Sequence, residues 1–238
     1  MYIQITTRCN MTCAHCCFSC RPGTGEHMTR STWVDSIAYA RDVQDCEGVS
    51  IGGGEPAIHP EFFDILEFSL QSFGYVWLAT NGANSRKMKR LYNIIMGEDY
   101  NTKNPIYQDG KLTVALSTDY YHDRDKVSDY VWQIWSNAVK RKNQGFELRD
   151  VSRKVIGVGR AKKTGNYQVI DSKNDCDCSN LFITPQGKIK PCGCPDSPII
   201  GNVCDGIKPS WERLLEASEE YRDYGCHKAL NLRSDRWK

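Results

Sequence analysis

The sequence predicts an α/β fold built on a parallel sheet, and three observations carry that reading. Short apolar strand signals alternate with helix-periodic segments between Tyr2 and Val158, the pattern of βαβ units with right-handed crossovers. The segments after successive strands are rich in Cys, Gly, Asn and Asp, which gathers polar chemistry at the carboxyl rim of the sheet. Of twelve cysteines in 238 residues, eleven fall into two groups, one near the start of the chain and one in its last third.

Each element follows in order. Tyr2–Thr6 reads as the first strand. A helix is expected from about Arg30 to Gln44, with Trp33, Ile37 and Ala40 on one face. Gly48–Ile51 is a short strand before the turn Gly52-Gly53-Gly54-Glu55-Pro56. Pro60 is expected to open a helix carrying Phe62, Leu66, Leu70 and Phe73. Tyr75–Ala79 forms a strand ending at Thr80-Asn81-Gly82, and Met88, Leu91, Tyr92 and Ile95 mark the next helix. The strand Leu112–Leu116 ends at Ser117-Thr118-Asp119. Val127, Tyr130, Val131, Ile134 and Ala138 form a helical stripe, and Lys154–Val158 reads as a further strand. The apolar stripes are read as core.

A polar stretch from Thr164 to Asp175 separates a main unit, residues 1–165, from a small extension, residues 172–238. In the extension, Leu181–Cys192 reads as a hairpin turning at Pro185-Gln186-Gly187. A helix follows with Trp211, Leu214 and Leu215 behind Ser210 as N-cap.

Composition narrows the function. With 40% hydrophobic and 25% charged residues the chain can bury a core, and a net charge of +2 argues against a dedicated polyanion binder. No apolar run approaches the roughly 18–20 residues of a membrane span. The first residues lack a signal-peptide pattern, so the expectation is a cytoplasmic protein with reduced thiols. Its cysteines are then ligands before they are disulfides. Cys46 stands apart and reads as an inert buried thiol.

Cys9-Asn-Met-Thr-Cys13-Ala-His-Cys16 places three thiolates on one loop directly after the first strand. Three ligands on a four-iron cluster leave one iron open to a small molecule. The alternative is a structural zinc site closed by Cys20. Spacing alone leaves the two level. The glycine turn at Gly52-Gly53-Gly54-Glu55, some forty residues on, permits close backbone approach and ends in a carboxylate at the same rim.

The three-cysteine loop, the Gly-Gly-Glu-Pro turn and the Ser117-x-Asp119 strand end, in this order, resemble the radical S-adenosylmethionine (radical SAM) enzymes over roughly residues 1–165. The resemblance implies a partial (β/α)6 barrel in which Cys9, Cys13 and Cys16 hold a 4Fe–4S cluster bound with S-adenosylmethionine. It further implies that His15 lies near the adenine, that Gly53, Gly54 and Glu55 receive the methionine amino group, and that Ser117 and Asp119 contact the ribose or the methionine carboxylate. Such cofactors generate a 5′-deoxyadenosyl radical that takes a hydrogen atom from substrate, while the protein orients substrate and excludes water. Gly157-Val-Gly159-Arg160-Ala161 resembles the Gly-Arg-Ala found at the fifth strand of the family.

The last third resembles the twitch/SPASM-like extension of the same family, a hairpin plus helix that binds an auxiliary iron–sulfur cluster. Cys178, Cys192, Cys194 and Cys226 are the expected ligands, with Cys176 and Cys204 as alternates. A zinc ribbon on the same thiolates is the competing reading.

Catalytic residues are not resolved by sequence. Tyr120 and His122 beside the rim, Arg160 as a carboxylate or phosphate contact, and Cys20 are the candidates. The expected substrate is a small molecule undergoing dehydrogenation, rearrangement or bond formation. The alternatives are a ribosomal peptide, a nucleobase in DNA or RNA suggested by basic runs such as Arg86–Arg90, and a non-catalytic zinc protein. An electron donor such as flavodoxin or ferredoxin is an expected partner.

Overall fold

The computed structural model describes residues 1–44, 47–98, 110–152, 158–165, 181–195, 197–205 and 208–220. Strands β1 (Tyr2–Thr6), β2 (Gly48–Gly53), β3 (Tyr75–Thr80), β4 (Leu112–Ser117) and β5 (Phe146–Arg149) run parallel. Helices α1 (Arg30–Gln44), α2 (Phe62–Ser72), α3 (Ser85–Ile95), α4 (Asp129–Lys140) and α5 (Gly159–Thr164) follow them in turn. This is the predicted α/β arrangement, a parallel sheet resembling a radical SAM partial barrel.

Beyond β1 the sheet continues through the hairpin. β6 (Phe182–Ile183) pairs parallel with β1, then β7 (Lys188–Lys190) and β8 (Gly201–Asn202) add antiparallel, giving the order β5-β4-β3-β2-β1-β6-β7-β8. Helix α6 (Trp211–Glu220) follows, with the Ser210 hydroxyl accepting the Arg213 N–H at 3.3 Å as an N-cap. The expected boundary between main unit and extension falls largely in 166–180, outside the described residues.

The core lies between sheet and helices. Ile3, Ile5, Ile51, Val76, Leu78, Val114 and Leu116 are buried from the strands, as a parallel sheet covered by helices requires. Trp33, Ile37 and Ala40 of α1 and Phe62, Leu66 and Leu70 of α2 meet them, as their spacing predicts. In α4 the buried stripe is Val131, Trp135 and Ala138; Tyr130, expected in it, is 48% exposed with Lys89 over its ring. Trp135 takes the core position because its indole N–H reaches the Val114 carbonyl at 3.3 Å. Leu215 is likewise 42% exposed, while Leu214 and Ala217 face inward.

One local expectation is corrected. Pro60 does not open α2; a 3-10 turn, Pro56–Ile58, intervenes, capped by the Glu55 side chain on the Ala57 N–H, and α2 begins at Phe62. The strand beside β4 is Phe146–Arg149, which the sequence reading did not assign; of the expected strand Lys154–Val158, residues 154–157 lie outside the described residues. Among the described residues no helix is long and apolar enough to cross a membrane.

Candidate active site

The site is assembled from the carboxyl ends of β1 to β4. After β1 the chain leaves the sheet through Thr6, whose pairing register with β2 shifts between Gln4 and Thr6. The β2 end closes onto this exit: Gly54 N–H donates to the Thr6 carbonyl at 2.8 Å and Glu55 N–H to the Arg8 carbonyl at 2.9 Å. Glycine is required here by contact. A Cβ at Gly53 would fall 2.2 Å from the Thr6 carbonyl oxygen, and one at Gly54 would fall 2.1 Å from that of Arg8.

The loop that follows carries Cys9, Cys13 and Cys16 as free thiols, Cys9 buried and the other two half-buried. Burial, together with the repulsion that neighbouring Cys9 and Cys16 thiolates would exert, pushes the Cys13 thiol up to about 12. Burial also raises Cys9. A hydrogen bond from the Cys20 thiol outweighs burial at Cys16 and lowers it to about 6. Cys9 is held from the β3 end: the Asn81 amide lies 3.8 Å from its sulfur and donates to Asn10 Oδ1 at 2.7 Å. Lys126 donates to the Asn10 carbonyl at 3.0 Å.

Glu55 is 1% exposed and both its oxygens are engaged. Oε1 accepts the Thr80 hydroxyl at 2.6 Å and the Ala57 N–H at 3.0 Å, and Oε2 accepts the Asn81 N–H at 2.7 Å. Burial pushes its carboxyl up, against the pull of these donors. Of the roughly four lone-pair positions on a carboxylate, about one is left for a ligand.

Ser117, the last residue of β4, and Asp119 are both buried. Asp119 Oδ1 lies 2.8 Å from His122 Nδ1 and accepts the Tyr121 N–H at 3.2 Å. Burial raises the Asp119 carboxyl, but the His122 hydrogen bond and charge prevail and hold it below its ordinary value. His15 sits between the tilted ring of Tyr121, 4.7 Å between ring centres, and the edge-on ring of His122, at 5.0 Å; burial lowers it to about 4, so it is neutral. Nitrogens of His15 and His122 and the Cys13 sulfur lie within 4.8 Å of one another.

These residues fit an iron–sulfur cluster with a polar ligand beside it. Three free thiols share one loop, and burial with the neighbouring thiolates makes Cys9 and Cys13 harder to ionise, a cost that a cationic centre relieves. Asp119 Oδ2 and His15 Nδ1 are buried with no hydrogen-bond partner, and such orphaned atoms beside the thiols call for a polar partner.

Of the other candidates, Tyr120 is 75% exposed, its hydroxyl 2.6 Å from that of Tyr121. Arg160 lies in the first turn of α5 and its guanidinium donates to backbone carbonyls of the cysteine loop; the strand expected just before it falls largely outside the described residues. Cys20 is buried against the Phe18 carbonyl. The sequence reading missed Asn81 and Lys126 as supports of the loop, although Thr80-Asn81-Gly82 already marked a polar strand end; nothing local marks Lys126.

In the second group, Cys192 is buried and Cys194 half-buried just after β7. The Cys194 N–H donates to the Cys192 sulfur at 3.5 Å, and a hydrogen bond from the Cys194 thiol lowers Cys192 to about 6. Cys204 is exposed, 3.9 Å from the Thr32 hydroxyl. Cys46, Cys176, Cys178 and Cys226 lie outside the described residues. A cavity of about 300 Å³ lined by Met96, Leu112 and Gly145 sits at the opposite rim, with none of the candidate residues.

Comparison with known proteins agrees with this geometry. Residues 3–98 match the family model of the radical SAM superfamily. The antilisterial bacteriocin subtilosin biosynthesis protein AlbA of Bacillus subtilis (strain 168) is 34% identical over 255 residues, 84% of this chain and 56% of that protein. The mycofactocin maturase MftC of Mycobacterium tuberculosis (strain ATCC 25618 / H37Rv) is 31% identical over 80 residues, 33% of this chain and 20% of its own length. The chain thus spans little more than half of AlbA and a fifth of MftC. The crystal structure of BtrN in complex with AdoMet and 2-DOIA superposes with a TM-score of 0.57 at 14% identity, covering 98% of this chain and 84% of that one, a likeness of fold. The thiol loop and the glycine turn that closes onto it both lie within residues 3–98, the stretch that matches the radical SAM superfamily model.

Proposed function

We propose that this protein is a radical SAM enzyme that abstracts a hydrogen atom from a residue of a peptide. The observation that carries the catalytic part is the meeting, at one rim, of three free thiols with the buried, unpartnered Asp119 Oδ2 and His15 Nδ1. Cys9, Cys13 and Cys16 would hold the 4Fe–4S cluster. Bound together, cluster and S-adenosylmethionine supply a 5′-deoxyadenosyl radical.

The chain's own residues then have separable tasks. Gly53 and Gly54 bring the β2 end against the cysteine loop, and Glu55 offers its remaining lone pair to a cationic amino group. Asp119, kept ionised and aimed by His122, binds hydroxyls through its free oxygen. Neutral His15, flanked by Tyr121, gives a flat uncharged surface for a base. Together they fix the ligand's orientation and keep water out.

Cys192 and Cys194 would belong to an auxiliary cluster, with Cys178 and Cys226 completing it. Their adjacent thiols support Cys194 over the exposed Cys204. The reducing electron would come from a flavodoxin or ferredoxin in the cytoplasm. The names of the relatives, a bacteriocin biosynthesis protein and a maturase, favour the peptide over the small molecule expected from sequence.

Synthetic peptides encoded beside the gene, deuterated at every carbon, are incubated with reconstituted protein, S-adenosylmethionine and dithionite. Deuterium in the released 5′-deoxyadenosine is the expected result. Label transfer only from a deuterated metabolite extract would return the substrate to the small-molecule class.

A further inference from the structure

We propose that Arg160 is a positioning residue that fixes the cysteine loop in the shape that holds the cluster, a role that deepens the reading above and rests on it. The Arg160 guanidinium donates through Nη1 to the Cys13 carbonyl at 2.7 Å, and through Nη2 to the carbonyls of Ser19 at 3.0 Å and Cys20 at 2.5 Å. Its backbone N–H donates to the Cys16 carbonyl at 2.9 Å. One residue therefore binds four carbonyls of the loop, two of them belonging to expected cluster ligands.

Its neighbours reinforce the contact. Gly159 has φ +57°, and a Cβ there would fall 2.1 Å from the Cys17 carbonyl oxygen, so α5 meets the loop at a distance only glycine allows. One turn later the Thr164 hydroxyl reaches the Ala14 carbonyl at 3.0 Å. Contacts from Gly159 to Thr164 thus run along the loop from Cys13 to Cys20.

The chemistry explains why arginine is used. Within the loop only short-range backbone bonds form, such as Cys16 N–H to the Cys13 carbonyl at 3.2 Å and Ser19 N–H to the Cys16 carbonyl at 3.3 Å. Carbonyls outside a helix or sheet need other donors when they are buried. A planar fork of five N–H groups can bridge several of them, which an ammonium on a flexible stem does not reproduce. Among the described residues no carboxylate lies within ion-pair distance of Arg160, so its charge faces the loop. That charge favours the thiolates of Cys13 and Cys16 that the cluster needs.

The test uses the full chain with Cys192→Ser and Cys194→Ser, so that iron reports on the first site. This background is compared with versions that also carry Arg160→Ala, Arg160→Lys or Thr164→Val, all reconstituted anaerobically. Iron release to a chelator is timed, and the electron paramagnetic resonance spectrum of the reduced cluster is recorded with and without S-adenosylmethionine. Loss of an outer-shell partner weakens metal sites by about 10–100-fold, so Arg160→Ala should release iron at least about tenfold faster. Arg160→Lys, which keeps the charge but not the fork, should release it nearly as fast and show a shifted spectrum. Thr164→Val should lie between Arg160→Ala and the parent. Circular dichroism confirms the fold, and if Arg160→Ala does not fold, Arg160→Lys decides. Parent protein that takes up no iron overturns the radical SAM reading itself. Parent protein that loads iron, with both folded arginine variants matching its release rate and spectrum, overturns the positioning role alone.

Discussion

The Glu55 carboxylate accepts the backbone N–H of Asn81 at 2.7 Å, tying the end of β2 to the end of β3. The same carboxylate takes the Thr80 hydroxyl and the Ala57 N–H, so three donors converge on a group with almost no exposure to water. Glu55 is therefore part of the frame of the site as well as a contact for its ligand. Glu55→Ala strands these donors, and buried unsatisfied groups cost about 1–3 kcal/mol each, so a loss of about 3 kcal/mol is expected in urea unfolding. Glu55→Gln, which keeps one acceptor oxygen, should lose about half of that. Unchanged unfolding midpoints would confine Glu55 to ligand binding.

His59 gives a pH dependence with a defined sign. Its Nε2 donates to the Met28 carbonyl at 2.9 Å and its Nδ1 accepts the Glu61 N–H at 3.1 Å, a pattern that requires the neutral ring. Burial lowers its pKa from the ordinary 6.5. A depressed histidine contributes stability that is present above pH 6.5 and lost as pH falls through the lower folded value. The urea midpoint should drop between pH 7.5 and 5, by up to about 1.4 kcal/mol per pH unit for this one proton. His59→Asn should flatten the slope, leaving the parts due to His15 and His27, which shift the same way.

Gly54 tests the fit between the glycine turn and the cysteine loop. The Ala side chain of Gly54→Ala would meet the Arg8 carbonyl oxygen at 2.1 Å, and backbone there cannot rotate aside as a side chain would. Overpacking costs about 1–3 kcal/mol. Thermal unfolding should show that loss, and iron uptake at the first site should fall with it because Arg8 immediately precedes Cys9. Full iron uptake with normal stability would show that the loop adjusts freely.

Cys20 separates a three-thiolate cluster from a four-thiolate zinc site. Its thiol hydrogen-bonds to Cys16, close enough to close a zinc site in principle. With a cluster on Cys9, Cys13 and Cys16, Cys20→Ala should keep about four irons at the first site, whereas Cys16→Ala should lose them. Equal loss in both variants would favour the closed four-thiolate site.

Much of this site is legible in the sequence because its ligands are local. The three thiols lie on one loop, and strand periodicity alone places Gly53, Ser117 and Asp119 at the same rim. β5 was not legible for a physical reason. It is four residues long, only Phe146 is fully buried, and its charged residues serve one tryptophan of β3. Glu147 accepts the Trp77 indole N–H at 2.9 Å and Arg149 stacks over the same ring. The role of Arg160 was invisible for a different reason. Its acceptors are backbone carbonyls some 140 positions away, and carbonyls leave no mark on residue type.

Metal and product analysis of anaerobically purified and reconstituted protein, reduced in the presence of S-adenosylmethionine, tests the radical SAM reading most directly. About eight irons with matching sulfide are expected if both cysteine groups hold 4Fe–4S clusters, together with released 5′-deoxyadenosine. Replacing Cys9, Cys13 and Cys16 together should abolish the product and about half of the iron. Two zinc ions, no iron and no 5′-deoxyadenosine would contradict the reading.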